Sequence, residues 1–77
     1  MPPKEGTWED RATRFLKAEL KRADVTYEEL AKRLKKHGLE ETEASIANKL
    51  ARGTFPATFF LAVASAIGME SVRLEDI

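Results

Sequence analysis

The sequence predicts an all-α fold, a compact bundle of four helices followed by a short C-terminal element. Three observations predict it. Apolar residues recur at helical spacing in four successive segments, and the periodicity is helical nearly throughout. Threonines suited to N-caps open the first three segments (Thr7, Thr26, Thr42), and glycines suited to helix stops close the last three (Gly38, Gly53, Gly68). The chain has 77 residues and a mass of 8.7 kDa, enough for one core and too little for a second domain.

Helix one is expected over about residues 8–22. Trp8, Ala12, Phe15, Leu16 and Leu20 form its apolar stripe, Glu9 and Asp10 occupy its first turn, and most of its basic residues fall on the other side. Helix two is expected over about 27–37. Thr26-Tyr27-Glu28-Glu29 fits a capping box, Leu30, Ala31 and Leu34 face inward, and Lys32, Arg33, Lys35 and Lys36 load the last turns with cations that suit a helix C-terminus. After Leu39-Glu40-Glu41, Thr42 caps helix three, which runs to about Arg52. Ile46, Ala47 and Leu50 cluster on one side of it, and Ser45, Asn48, Lys49 and Arg52 on the other. Thr54-Phe55-Pro56 resets the chain direction. Helix four, about 57–67, carries Phe59, Phe60, Val63, Ala64 and Ile67 inward and leaves Leu61 outside that stripe. Val72, Leu74 and Ile77 dock a last short turn or extended segment. Residues 1–6, with two prolines and a glycine, read as a loosely ordered lead-in to a single domain over 7–77.

Composition narrows the function classes. Lys+Arg and Asp+Glu are 13 each, for net zero charge, which argues against a basic, sequence-indifferent nucleic-acid coat. The absence of cysteine removes disulfides and thiolate zinc sites. The low-charge stretch from Gly53 to Met69 contains a proline and is too short to cross a bilayer. Residues 1–6 lack the apolar segment of a signal peptide. The expectation is a soluble cytoplasmic domain without metal or cofactor. Catalysis finds no foothold either. His37 is the sole histidine and reads as an exposed helix-end residue, no hydroxyl has an evident His partner, and the Glu pairs at 28–29 and 40–41 are sequence neighbours that do not face each other across a cleft. Trp8, Phe15, Tyr27, Phe59 and Phe60 read as core or helix-staple residues rather than a base-stacking platform, and Phe55 as a core anchor.

Two short capped helices, the second bearing a polar outward stripe, have the layout of a helix-turn-helix, whose recognition helix presents three or four side chains to base edges in the major groove. Ser45, Asn48, Lys49 and Arg52 would be that face: Asn pairs with adenine, and Lys or Arg reaches guanine or a phosphate. The same four residues also fit a plain solvated helix face. The run Thr26-Tyr27-Glu28-Glu29-Leu30-Ala31-Lys32-Arg33-Leu34, followed by Ser45-Ile46, Arg52-Gly53 and Pro56, resembles the lambda-repressor-like helix-turn-helix domains of phage repressors and related bacterial regulators. Trp8, the stretch Asn48-Lys49-Leu50-Ala51-Arg52-Gly53 and the Phe59-Phe60 pair also resemble a group of small bacterial domains with no assigned function. The first resemblance implies that Thr42, Glu43, Ser45, Asn48 and Lys49 are groove-facing and that Tyr27 approaches phosphate. The chain departs from that pattern in a longer stretch between Ala31 and Thr42, in Ala51 before Arg52-Gly53, and in Glu40, Glu41 and Glu43 at the end that would approach phosphate.

The leading expectation is therefore a DNA-binding transcriptional regulator acting as a homodimer on double-stranded DNA. Thr42, Glu43, Ser45, Asn48, Lys49 and Arg52 face the bases, and Tyr27, Lys35 and Lys36 face phosphates. The rival expectation is a non-enzymatic protein-interaction or oligomerisation domain on the same scaffold. Its surface would be Leu61, Val72, Leu74 and Ile77, and the acidic cluster at 40–43 favours it.

Overall fold

A computed structural model describes residues 6–77. Apart from Gly6, the lead-in expected at 1–6 lies outside the described residues. Four helices follow in order, α1 (Trp8–Arg22), α2 (Tyr27–Lys36), α3 (Glu43–Arg52) and α4 (Ala57–Ala66), and a short 3-10 turn at Leu74–Asp76 ends the chain. There is no strand among the described residues.

Capping explains where the helices start. The Thr7 hydroxyl accepts from the Asp10 amide at 3.1 Å, and the Asp10 carboxylate accepts from the Thr7 amide at 3.4 Å. The Thr26 hydroxyl accepts from the Glu29 amide at 3.1 Å. The reciprocal half of the expected capping box is replaced, because Glu29 meets the Arg33 Nε at 3.4 Å, the i,i+4 partner that suits a carboxylate one turn earlier. Thr42 and Ser45 cap each other, at 3.0 Å from the Ser45 amide and 2.8 Å from the Thr42 amide. Pro56 precedes α4 with no side-chain cap; its fixed φ suits the entry to a helix.

One helix stop carries tertiary weight. Gly53 adopts φ +70°, and a Cβ there would stand 2.3 Å from the Glu9 carbonyl oxygen. The turn between α3 and α4 thus lies directly against the first turn of α1, a backbone approach that only glycine permits. The Thr13 hydroxyl adds a second tie, donating to the Leu50 carbonyl at 2.7 Å.

The core is one cluster drawn from all four helices and the connection between α1 and α2: Phe15, Leu16, Leu20, Val25, Leu30, Leu34, Ile46, Leu50, Phe59 and Val63. Helix α3 packs on both α1 and α2, and α2 also packs on α4. Phe55 anchors the turn before α4, its ring 5.2 Å from Phe59, while Phe60 lies 6.0 Å from Phe15. Arg33 closes the α2–α4 side by donating to the Ala66 carbonyl at 3.3 Å.

Two expectations need correction. Trp8 is not a core residue: it is 67% exposed, because it opens α1 a full turn before the helix meets the core. The Arg11 guanidinium covers its ring at 4.0 Å instead. The C-terminal segment divides. Val72 and Ile77 pack against the core and the Ile77 carbonyl accepts from Arg11 at 2.9 Å, whereas Leu74 is exposed. Among the described residues no helix is long and apolar enough to cross a membrane.

Candidate nucleic-acid interface

Burial of Ile46 and Leu50 fixes the orientation of α3. At about 100° per residue, Asn48 stands diametrically opposite them, flanked on the exposed side by Ala44, Ala51 and Arg52. No side-chain hydrogen bond or ion pair engages Asn48 or Arg52 among the described residues. They are one turn apart on the same face, so a short carboxamide and a long guanidinium project together from an otherwise small-residue surface.

The other residues expected to face bases are occupied within the chain. Thr42 and Ser45 cap each other. The Ser45 hydroxyl also donates to a Glu41 carboxylate oxygen at 2.7 Å, and the Lys49 ammonium donates to the other oxygen of that carboxylate. The Lys49 ammonium further lies 5.0 Å from the centre of the Phe59 ring, a cation–π contact that holds it on the Glu41 side. The Glu41 side chain is only 8% exposed and that of Lys49 33%. Burial alone would raise the Glu41 pKa, but the hydrogen bonds from Lys49 and Ser45 and the Lys49 charge outweigh it and hold the carboxyl below its ordinary value. Glu43 is exposed in the first turn of α3, where a carboxylate suits the helix dipole.

Of the residues expected near phosphate, Tyr27 is half-buried against the core, and Lys35 and Lys36 are exposed in the last turn of α2. A cationic stripe of Lys35, Lys36, Lys49 and Arg52 is therefore interrupted at Lys49. His37 is exposed at the end of α2. Its Nδ1 lies 3.1 Å from the Arg33 carbonyl oxygen and its Nε2 3.4 Å from the Ser65 hydroxyl. Of the expected oligomer surface, Leu61 is 63% and Leu74 78% exposed, while Val72 and Ile77 are half-buried.

Sequence reasoning missed Glu41, Thr13 and Arg33 as organising residues. The i,i+4 spacing of Glu29 and Arg33 was a usable signal, and that of Glu41 and Ser45 a weaker one, since Glu41 precedes the helix. Nothing local links Glu41 to Lys49 or Thr13 to Leu50. A hollow of about 450 Å³ lies beside Gly6, Asp10, Thr13, Arg14 and Ala51. Its Asp10 carboxylate and Thr13 hydroxyl are spent on the Thr7 amide and the Leu50 carbonyl. No group of three or more His, Cys, Asp or Glu suited to a metal ion occurs among the described residues.

No curated protein and no solved structure matches the chain. Residues 8–72, from the first residue of α1 to just before the terminal 3-10 turn, match the model of a family described as a domain of unknown function, DUF6471. That agrees with the resemblance to small domains without an assigned function. The chain belongs to the DUF6471 family.

Proposed function

We propose that this domain is a non-enzymatic DNA-binding module of a transcriptional regulator, related to the lambda-repressor-like helix-turn-helix domains. It acts in the cytoplasm as a homodimer on a two-fold site in double-stranded DNA. The observation that carries the reading is the unengaged pair Asn48 and Arg52 on the outward side of α3, a helix held on its inner side by α1 and α2. Asn48 suits bidentate pairing with adenine, and Arg52 suits guanine O6/N7 or a phosphate. Ala44 and Ala51 beside them add little bulk, so the helix can approach base edges and a thymine methyl closely. Exposed Lys35 and Lys36 suit phosphates flanking the groove. Ser45 and Thr42 hold the start of α3 rather than read bases.

The test is a paired substitution measured on a panel of duplexes. Asn48→Ala is expected to relax base preference at one position and cost about 1–3 kcal/mol on the preferred sequence. Lys35→Ala is expected to weaken all sequences alike. Equal losses on every sequence for both variants would refute direct readout by α3.

A second reading is favoured by one observation. Leu61 and Leu74 are exposed, and α4 carries no charged residue. A protein-interaction domain without DNA binding would use that surface. In the DNA-binding reading the same surface serves the homodimer, so substitution of Leu61 by Asp separates the two: it abolishes dimerisation and weakens DNA binding in the first reading, and affects only partner binding in the second.

A further inference from the structure

We infer that the Glu41 carboxylate is an intramolecular competitor for DNA phosphate, holding Lys49 back from the outward side of α3 until a backbone phosphate takes it. This rests on the DNA-binding reading above. Lys49 precedes Arg52 by three residues, so the two are neighbours on the helix surface. Released, Lys49 would place a second cation beside Arg52. In the free protein its ammonium is bound to Glu41 and lies over the Phe59 ring.

Glu41 presents to Lys49 and Ser45 the kind of acceptor a phosphate presents, two anionic oxygens, one on the Ser45 hydroxyl and one on the Lys49 ammonium. The arrangement is reversible because Lys49 is one-third exposed, whereas the nearly buried Glu41 stays in place. The Ser45 hydroxyl and the cap it forms with Thr42 keep the start of α3 intact when Lys49 leaves. Release of Lys49 leaves the Glu41 charge with the Ser45 hydroxyl as its remaining donor, a cost that each complex would carry. This accounts for an otherwise paradoxical feature, a half-buried anion at the end of a helix that is to approach phosphates.

Glu41→Gln tests the inference, with Glu40→Gln as the control. Gln keeps the shape and an acceptor for Ser45 but gives up the ion pair. The control removes the same charge from an exposed neighbour that makes no hydrogen bond or ion pair with Lys49. Binding to one duplex is followed across a salt series for all three proteins, with circular dichroism confirming the helices. Glu41→Gln is expected to bind several-fold tighter at the wild-type slope of log K against log salt, since Lys49 meets a phosphate in both complexes and only the competition with Glu41 is lost. Glu40→Gln is expected to keep the same slope and to gain less. A wild type that binds duplex while Glu41→Gln gains nothing, or gains no more than Glu40→Gln, overturns the inference and leaves the DNA-binding reading standing. Failure of all three folded proteins to bind at low salt overturns both. A measurement on the wild type guards against a variant that does not fold: the carboxylate carbon signal of Glu41 is expected to titrate at higher pH when saturating duplex is present. An unchanged titration contradicts release of Lys49.

Discussion

Gly53 shows how one residue joins two elements that are far apart in sequence. Its positive φ serves the end of α3, and its missing Cβ admits the Glu9 carbonyl of α1. Gly38 shares the left-handed conformation at φ +85°, but a Cβ there meets nothing within 4 Å. Gly38→Ala should therefore cost about 1–2 kcal/mol, the price of the backbone conformation alone. Gly53→Ala should cost clearly more, about 3 kcal/mol or above, because the backbone of α1 must also move. Urea unfolding of the two variants checks the difference, and equal losses would remove the close approach from the account. The sequence marked both glycines as helix stops, and that much was legible. That one of them also seats α1 was not, because no local pattern connects position 53 to position 9. Trp8 is the reverse case: its spacing fits the apolar stripe, yet it opens the helix beyond the edge of the core and stays exposed.

At the scale of elements, all four helices lie where apolar spacing and capping residues put them, since each start has a Thr or Pro and each inward stripe has the helical period. The start of α3 is the exception in detail. Its Thr42 cap was readable, but the contribution of Glu41 was not, because an eight-residue separation between Glu41 and Lys49 falls outside any helical neighbour rule. That contact pins the connection between α2 and α3 and makes its attachment sensitive to acid. The Glu41 pKa is lowered by folding. Its stabilising contribution is therefore complete above the ordinary glutamate value of about 4.3 and is lost as pH falls through the lowered folded value. The stability advantage of wild type over Glu41→Gln should accordingly shrink as pH falls below that ordinary value. Urea unfolding of both proteins across the acid range measures it, and an advantage that does not change with pH would contradict a charged Glu41 in the fold.

The whole molecule is neutral but unevenly so. Beyond Gly38 the cations are Lys49, Arg52 and Arg73, against Glu40, Glu41, Glu43, Glu70, Glu75 and Asp76. The cationic excess lies on α1 and α2. On the proposed DNA-binding reading, a domain built this way would have little electrostatic grip of its own and would depend on α3 side chains for selectivity and on pairing of two copies for affinity. The outward set on α3 was only partly legible as a face. Helical projection grouped Ser45, Asn48, Lys49 and Arg52, but capping and ion pairing leave Asn48 and Arg52 as its free members. The most direct test of the central claim is fluorescence-polarisation binding across a salt series, comparing random duplex with duplex enriched by selection on this protein. The account predicts selective binding to the enriched duplex that weakens as salt rises, with a slope that counts the phosphates contacted. No enrichment and no binding at low salt, by protein whose helical content is intact, would contradict it and leave the interaction surface at Leu61 and Leu74 as the reading to pursue.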